Sequence, residues 1–367
     1  MKILYAAGSV IASESANSVH VMRMCEALAQ AGHSVTLLAK AGQRSDAEVW
    51  AHYGVEPCFE LARVPFRNRA GLLRYLQRGR ALGRFDLLLG RYLYPLLALR
   101  DRAPRFCYEV HDAPTPPRWV LERLLLKDAR CAGLITISAA LTDHYRGLAG
   151  CPQDLAVLRL PDAAPAVAQP LPVRQQGALV AGYAGAFYAG RGLPLLLAVA
   201  RQLPQIQFRV AGGDAAALAP YLAGDLPPNL ECVGRLAPAA VPDFLRQCDV
   251  LLAPYERQVA VAGNTGNTAD WCSPLKLFEY MAQGKAVMAS ELPALAEIID
   301  HEQTGLLLPP DATAPWVAAL QALDADRGRA QRLGHAALEA FAQRGSWQQR
   351  AERLLEHLAA PRPGAMR

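Results

Sequence analysis

The segment Ser273-Pro-Leu-Lys-Leu-Phe-Glu-Tyr-Met-Ala-Gln-Gly284 holds the residues best suited to chemistry. It reads as a short helix with its punctuation: Ser273 at the N-cap, Pro274 at the first helical position, Gly284 just after the end. At 3.6 residues per turn Lys276, Glu279, Tyr280 and Gln283 share one face, while Leu277 and Met281 turn to another. A helix start offers unpaired N–H groups and about half a positive charge, and Lys276 adds a full one in the first turn, a setting suited to a diphosphate. Glu279 lies too deep to cap the helix, but its carboxylate can accept hydrogen bonds from the vicinal hydroxyls of a ribose. Alone, Lys276 and Glu279 would read as a solvated i,i+3 pair. The order of the whole segment, with an apolar strand directly behind it at 286–290, favours a site.

His111-Asp112 follows the apolar run Phe106 to Val110, which puts His111 where ligand crevices form in open parallel sheets. A metal phosphohydrolase would need further His and Asp ligands that the sequence does not supply, so no metal is expected. Ser9, after the first apolar run, is either a neighbour of a bound ligand or a plain loop serine. Asp324-Ala-Asp326 has the form of a metal-binding Asp-x-Asp, but its late, helical position makes it a surface feature. No pair of carboxylates is placed as in a glycosidase.

The elements that must position these residues form two series. Lys2 to Ala7 is an apolar strand, Val19 to Ala31 a helix with Val21, Met24, Cys25 and Leu28 on one face, and Val35 to Ala39 the next strand. Further buried strands are expected at 86–89, 106–110 and 133–137. From Leu160 to Gly177 the pattern lapses into Pro and Ala, read as a stiff linker. A second series follows at 178–182, 207–211, 230–233, 250–253, 286–289 and 305–308. The expectation is an α/β protein of two Rossmann-like, doubly wound domains, 1–165 and 166–345, facing a central cleft. A last helix at about 347–360 is free to dock back on the first domain.

A chain of 367 residues, 52% hydrophobic and 19% charged, suits two domains with buried parallel strands and argues against extended disorder. The eight cysteines are scattered singly, without zinc spacing, as in a reduced, cytosolic chain. The opening apolar run has only Lys2 as a basic flank and leads straight into a strand and helix, unlike a secretory signal. No stretch of about 18 apolar residues reads as a membrane span. The net charge of +5 is uneven: eleven arginines from Arg63 to Arg105, against Asp86 and Asp101, give that stretch +9 and leave the remainder at −4. Such a stripe is either a solvated face or a dock for an anionic membrane surface, which would place the protein peripherally on the inner face of the membrane. It lacks the regular aromatic partners of a single-stranded nucleic-acid site, so no nucleic acid is expected.

The segment 273–309 strongly resembles glycosyltransferase family 4, whose members have the GT-B fold. The match includes Gly284-Lys-Ala-Val287, Pro293, Glu297-Ile-Ile299 and Gly305-Leu-Leu307. Ala27 to Val35, Glu109-Val-His-Asp112, Ile137-Ser138, Gly185 with Arg191-Gly192, Gly234-Arg235 and Val250 to Pro254 agree in the family's order, so the resemblance spans nearly the whole chain. It implies a retaining, hexosyltransferase-like enzyme. The donor would be a nucleotide diphosphate sugar, UDP or GDP, with no other cofactor, and the acceptor a glycan or lipid-linked molecule of cell-surface polysaccharide or glycolipid synthesis. It assigns the diphosphate to Arg191 and Lys276, the ribose to Glu279, and the donor sugar's neighbour in the first domain to His111. Gly185, Gly234, Arg235, Ser273 and Leu277 would surround the nucleotide. Two positions depart from the family: Trp271 stands for the first glutamate of the pair ending at Glu279, and Ala186 for an arginine. The loop 264–270 is expected to supply a substitute for that glutamate on the donor sugar, either Asp270 or backbone amides. Rival readings are a sugar-nucleotide epimerase on the same fold and a non-catalytic nucleotide-binding partner.

Overall fold

A computed structural model describes residues 1–13, 15–65, 71, 83–222, 224–260 and 267–359. The chain divides into two units, Met1–Pro161 joined by the segment from Trp347, and Asp162–Ser346. In the first unit seven strands, β1 (Lys2–Ile11), β2 (Ser34–Ala41), β3 (Glu60–Val64), β4 (Leu87–Gly90), β5 (Phe106–Glu109), β6 (Cys131–Thr136) and β7 (Val157–Arg159), form a parallel sheet in the order β3-β2-β1-β4-β5-β6-β7. In the second, β8 (Val180–Ala184), β9 (Gln207–Ala211), β10 (Leu230–Gly234), β11 (Val250–Ala253), β12 (Ala286–Ser290) and β13 (Leu306–Leu308) form another, ordered β10-β9-β8-β11-β12-β13. The central strands are buried along their whole length because helices cover both faces, which is why they read as unbroken apolar runs. Each sheet reverses its order once, between β1 and β4 and between β8 and β11, and ligands of such sheets bind at the carboxyl ends of the strands at that switch.

The first helix, Ala16–Gln30, starts at Ser15, whose hydroxyl accepts from the Ser18 N–H, and buries Val21, Met24, Cys25 and Leu28. The last helix, Trp347–Ala359, packs against it through a stripe of Trp347, Arg350, Ala351, Leu354 and Leu358, spaced for one helical face.

Several sequence expectations need correction. The first strand continues to Ile11 through a shift in register between Ala6 and Val10, so Ser9 lies on β1 rather than in a loop. The stretch after Leu160 is not a free linker. Ala163, Ala164 and Val173 are buried, the Ala164 N–H donates to the Gly345 carbonyl, and Arg174 pairs with Asp249 at 3.0 Å. Small side chains let this Pro-rich segment lie flat on the second unit, and the division falls at Pro161. Of the arginines from 63 to 105, Arg67, Arg69, Arg74, Arg78 and Arg80 lie outside the described residues. Arg63 pairs with Asp46, Arg100 lies 3.4 Å from Asp128, and Arg105 donates to the Leu358 carbonyl at 2.6 Å, so these three serve the domain itself. Among the described residues no helix is long and apolar enough to cross a membrane.

Candidate active site

At the switch point of the second sheet, the loop after β8, the loop after β11 and the start of the helix Leu275–Ala282 meet around one side chain. Lys276 is 9% exposed, with Nζ 4.0 Å from the centre of the Tyr183 ring and 5.1 Å from that of Tyr255. Ring faces attract a cation, yet the ammonium has no hydrogen-bond partner among the described residues. The Arg191 guanidinium lies 5.1 Å from the same Tyr255 ring. Burial, reinforced by Arg191 and opposed by Glu279, pushes the Lys276 ammonium well below its ordinary value. Burial likewise pushes Tyr255 up to about 12 and raises Tyr183, so both remain neutral phenols. An unsatisfied buried cation is costly, and a multiply charged anion would relieve that cost.

The surroundings hold this arrangement open. Gly185 has φ 153°, and a Cβ there would come within 2.4 Å of Lys276 Nζ. Gly192 has φ 76°, and a Cβ would meet the Pro254 carbonyl oxygen at 1.4 Å, so only glycine lets the two loops close on each other. Their closure is pinned by the Glu256 N–H on the Gly190 carbonyl (3.0 Å) and the Ala260 N–H on the Ala189 carbonyl (3.2 Å), just before Arg191. The buried Tyr280 hydroxyl accepts from the Ala184 N–H at 2.9 Å and lies 3.3 Å from both the Ala184 and Leu252 carbonyls, tying the helix to the ends of β8 and β11.

The helix is shorter than its sequence punctuation implies. Pro274 is its cap residue with no side-chain bond, and Ser273 accepts the Asp162 N–H at 2.8 Å instead, because its buried hydroxyl faces the incoming chain. Lys276, Tyr280 and Gln283 are buried rather than displayed, and Glu279 is partly exposed beside Lys276. Leu277 is wholly buried in the core, and its N–H bonds to the Pro274 carbonyl. Gly284, at φ 64°, ends the helix. The Gly234 carbonyl accepts the Gly212 N–H at 2.9 Å, and Arg235 beside it is exposed. Asp270 is exposed and Trp271 partly buried, while Asn264, Thr265 and Gly266 lie outside the described residues. Asp324 and Asp326 are structural: Asp324 pairs with Arg327, and Asp326 caps the next helix by accepting the Arg329 N–H at 2.8 Å. A separate cavity of about 460 Å³, lined by Arg174, Gln207, Arg209 and Lys285 among others, lies at the opposite, amino-terminal ends of these strands.

In the first unit Ser9 is buried and donates to Asn17 Oδ1 at 2.9 Å, anchoring β1 to the first helix. His111 follows the end of β5, its Nε2 2.7 Å from Oε1 of the buried Glu109. Arg350 Nη2 donates to the same oxygen at 2.9 Å, His20 Nε2 lies 3.0 Å from it, and the Tyr5 hydroxyl donates to Oε2 at 3.2 Å. Burial alone would raise the Glu109 carboxyl, but Arg350 and His20 outweigh it and hold the group well below the usual carboxylate range. In the sequence Glu109 stands out only as part of the matched Glu109-Val-His-Asp112 run, with no role assigned, and His20 and Arg350 do not stand out at all. The available signal was the i,i+2 spacing of Glu109 and His111, which puts both on one side of an extended chain. The ligand atoms of His20, Glu109 and His111 lie within 4.8 Å of one another, a spacing a metal could use, but the Arg350 guanidinium already supplies positive charge at the shared oxygen.

Residues 18–159 match the model of Glycosyltransferase Family 4, and residues 178–326 that of Glycosyl transferases group 1. The chain belongs to glycosyltransferase family 4. It is similar to D-inositol 3-phosphate glycosyltransferase of Nocardia farcinica, 40% identical over 86 residues, which are 23% of this chain and 19% of that protein. It is also similar to phosphatidyl-myo-inositol mannosyltransferase of Mycobacterium tuberculosis, 32% identical over 135 residues, 35% of this chain and 32% of that protein. The matched stretches thus span a third or less of these relatives' own lengths. Among solved structures, sucrose-phosphate synthase of Thermosynechococcus elongatus superposes with a TM-score of 0.70 at 19% identity, covering 97% of this chain and 98% of the other. HepE of Anabaena in complex with UDP gives 0.68 at 16%, covering 98% and 100%. The fold is GT-B.

Among the described residues the cations assembled at the switch point are Lys276 and Arg191, both beside the Tyr255 ring.

Proposed function

We propose that this glycosyltransferase is a retaining enzyme that moves a hexosyl group from a UDP- or GDP-sugar to a glycan or lipid-linked acceptor. The observation that carries the reading is the buried Lys276 ammonium, without a hydrogen-bond partner among the described residues, on two tyrosine faces beside Arg191 at a sheet's switch point. As the glycosidic bond breaks, negative charge grows on the leaving diphosphate, and fixed cations in a poorly solvated setting stabilise it without reorganising. With Lys276 and Arg191 in that role, the chemistry needs no metal. Glu279 takes the ribose hydroxyls, and His111 and Ser9 serve the sugar and acceptor side. Asp270 binds the donor-sugar hydroxyl that Trp271, having no carboxylate, cannot.

HepE has been solved with UDP and with UDP-glucose, which supports a uridine donor. The names of the relatives, an inositol 3-phosphate and a phosphatidyl-inositol transferase, support an acceptor that carries a polyol or lipid phosphate. The net +9 of the sequence from Arg63 to Arg105, less Arg63, Arg100 and Arg105, which are engaged within the domain, is the ground for work at an anionic membrane surface. The departures at Trp271 and Ala186 favour, as a second reading, a nucleotide-binding protein without transferase activity.

The test is incubation of the purified chain with UDP- and GDP-hexoses and polyol-phosphate or lipid acceptors. Nucleoside diphosphate release is followed, and the product's anomeric proton is read by NMR. Transfer with retained configuration, lost in Lys276→Ala, is expected. Donor binding without turnover would support the second reading, and inversion at the anomeric carbon would overturn the retaining mechanism.

A further inference from the structure

Resting on the assignment of His111 to the reacting side, we propose that Glu109 is the positioning residue of His111, fixing which ring nitrogen carries the proton and how the ring is turned, with Arg350 of the last helix keeping Glu109 anionic.

Three observations lead there. Glu109 is 1% exposed at the end of β5, whereas the His111 side chain is 19% exposed, so a buried carboxylate lies beneath a solvent-reaching imidazole. Arg350 donates to Oε1 of Glu109 and Tyr5 to Oε2, while Nε2 of His111 and of His20 lie 2.7 and 3.0 Å from Oε1. A carboxylate so placed is ionised, and an ionised carboxylate only accepts. The proton of the 2.7 Å bond therefore belongs to His111 Nε2. The backbone that carries the imidazole is fixed from the other side as well. Asp112 pairs with Arg118 at 2.7 Å, and Arg118 in turn pairs with Glu122, which is fully buried and accepts from the Tyr108 and Tyr145 hydroxyls at 2.6 and 3.0 Å. Two anchored carboxylates thus flank one histidine in sequence, and one of them holds its ring. Arg350 reaches Glu109 from 241 residues further along the chain, with its Nε on the Pro161 carbonyl at 2.8 Å. The last helix thereby becomes part of the His111 support.

The first measurement needs no variant of Glu109. Long-range ¹H–¹⁵N NMR of the imidazoles at pH 8, with His111 assigned by its absence in His111→Asn, is expected to show a single Nε2-protonated form. An Nδ1-protonated form, or averaging between the two, would overturn the proposal, as would a spectrum that changes on EDTA treatment, which would put a metal in the cluster. The second is Glu109→Gln, which keeps size and one acceptor but loses the charge. We expect kcat to fall about 10- to 100-fold, the cost of a small misplacement of a reacting group. The donor KM and the thermal shift produced by a nucleoside diphosphate should stay within about twofold, and Glu109→Asp should recover part of kcat. Unchanged kcat in Glu109→Gln, or parallel loss of nucleoside diphosphate binding, would refute the assignment. If the wild-type chain transfers no sugar, the transferase reading fails by itself, and the imidazole spectrum still decides what Glu109 does.

Discussion

At the scale of the residue, the account rests on Lys276 and the space kept for it. Because its folded-state affinity for a proton is lowered, Lys276 binds fewer protons folded than unfolded. Its unfavourable contribution to stability is full below the lowered value and disappears as pH rises toward the unfolded value of about 10.4. A bound diphosphate reverses the effect by favouring the charged ammonium. Titration calorimetry at pH 8.5 in two buffers of different ionisation enthalpy should therefore show net proton uptake on UDP or GDP binding, and none in Lys276→Met. Gly185→Ala tests the space: the added methyl meets Lys276 Nζ and the backbone at φ 153° is strained. A loss of about 1–3 kcal/mol by denaturant unfolding and at least a tenfold weaker nucleoside diphosphate affinity are expected. The sequence made the residue types legible but not their burial. The i,i+3 spacing of Lys276 and Glu279 is by itself that of a solvated pair, and the burial of Lys276 comes from Tyr183 on β8 and Tyr255 after β11, residues far from it in sequence.

At the scale of the element, two buried polar groups bind distant parts of the chain together. Tyr280→Phe removes the hydroxyl that pairs with Ala184 and leaves a buried N–H without its acceptor, which should cost about 1–3 kcal/mol in denaturant unfolding. Arg350→Met leaves the Glu109 carboxylate uncompensated and should cost about 3–5 kcal/mol, with Arg350→Met/Glu109→Gln recovering a measurable part of it. The strands most visible in the sequence were the central ones, such as β4, β5, β11 and β12, whose every residue is buried. β3 and β7 are not expected from the sequence because each carries an arginine, Arg63 and Arg159, that breaks its apolar run, and neither has every residue buried. The N-cap at Ser273 was misplaced for a different reason. Serine before proline is a good cap locally, but its hydroxyl is taken by the Asp162 N–H, a partner far away in sequence.

At the scale of the whole molecule, the second unit is one continuous segment, Asp162–Ser346, with its own sheet and its own cores on both faces of that sheet. It contains Lys276, Arg191 and Glu279 together. Expressed alone, residues 162–346 should unfold cooperatively by circular dichroism and bind a nucleoside diphosphate within about tenfold of the full chain. The first unit is discontinuous and needs the helix Trp347–Ala359, so a chain ending at Ser346 should lose the stability of that unit while keeping donor binding. The sequence leaves the last helix free to dock back on the first domain, and the structure groups it with that unit. The face it uses, Trp347, Arg350, Ala351, Leu354 and Leu358, is not legible in the sequence because Arg350 interrupts its apolar pattern.

The measurement that bears most directly on the central claim is the thermal shift of the purified full chain with UDP, GDP, ADP, CMP and dTDP, for wild type, Lys276→Ala and Glu279→Ala. A ligand at about 100 times its Kd adds roughly 2.7 kcal/mol to the native state. Stabilisation by UDP or GDP that is lost in both variants is the predicted result. No stabilisation by any of the five, or stabilisation that survives in Lys276→Ala, would contradict it.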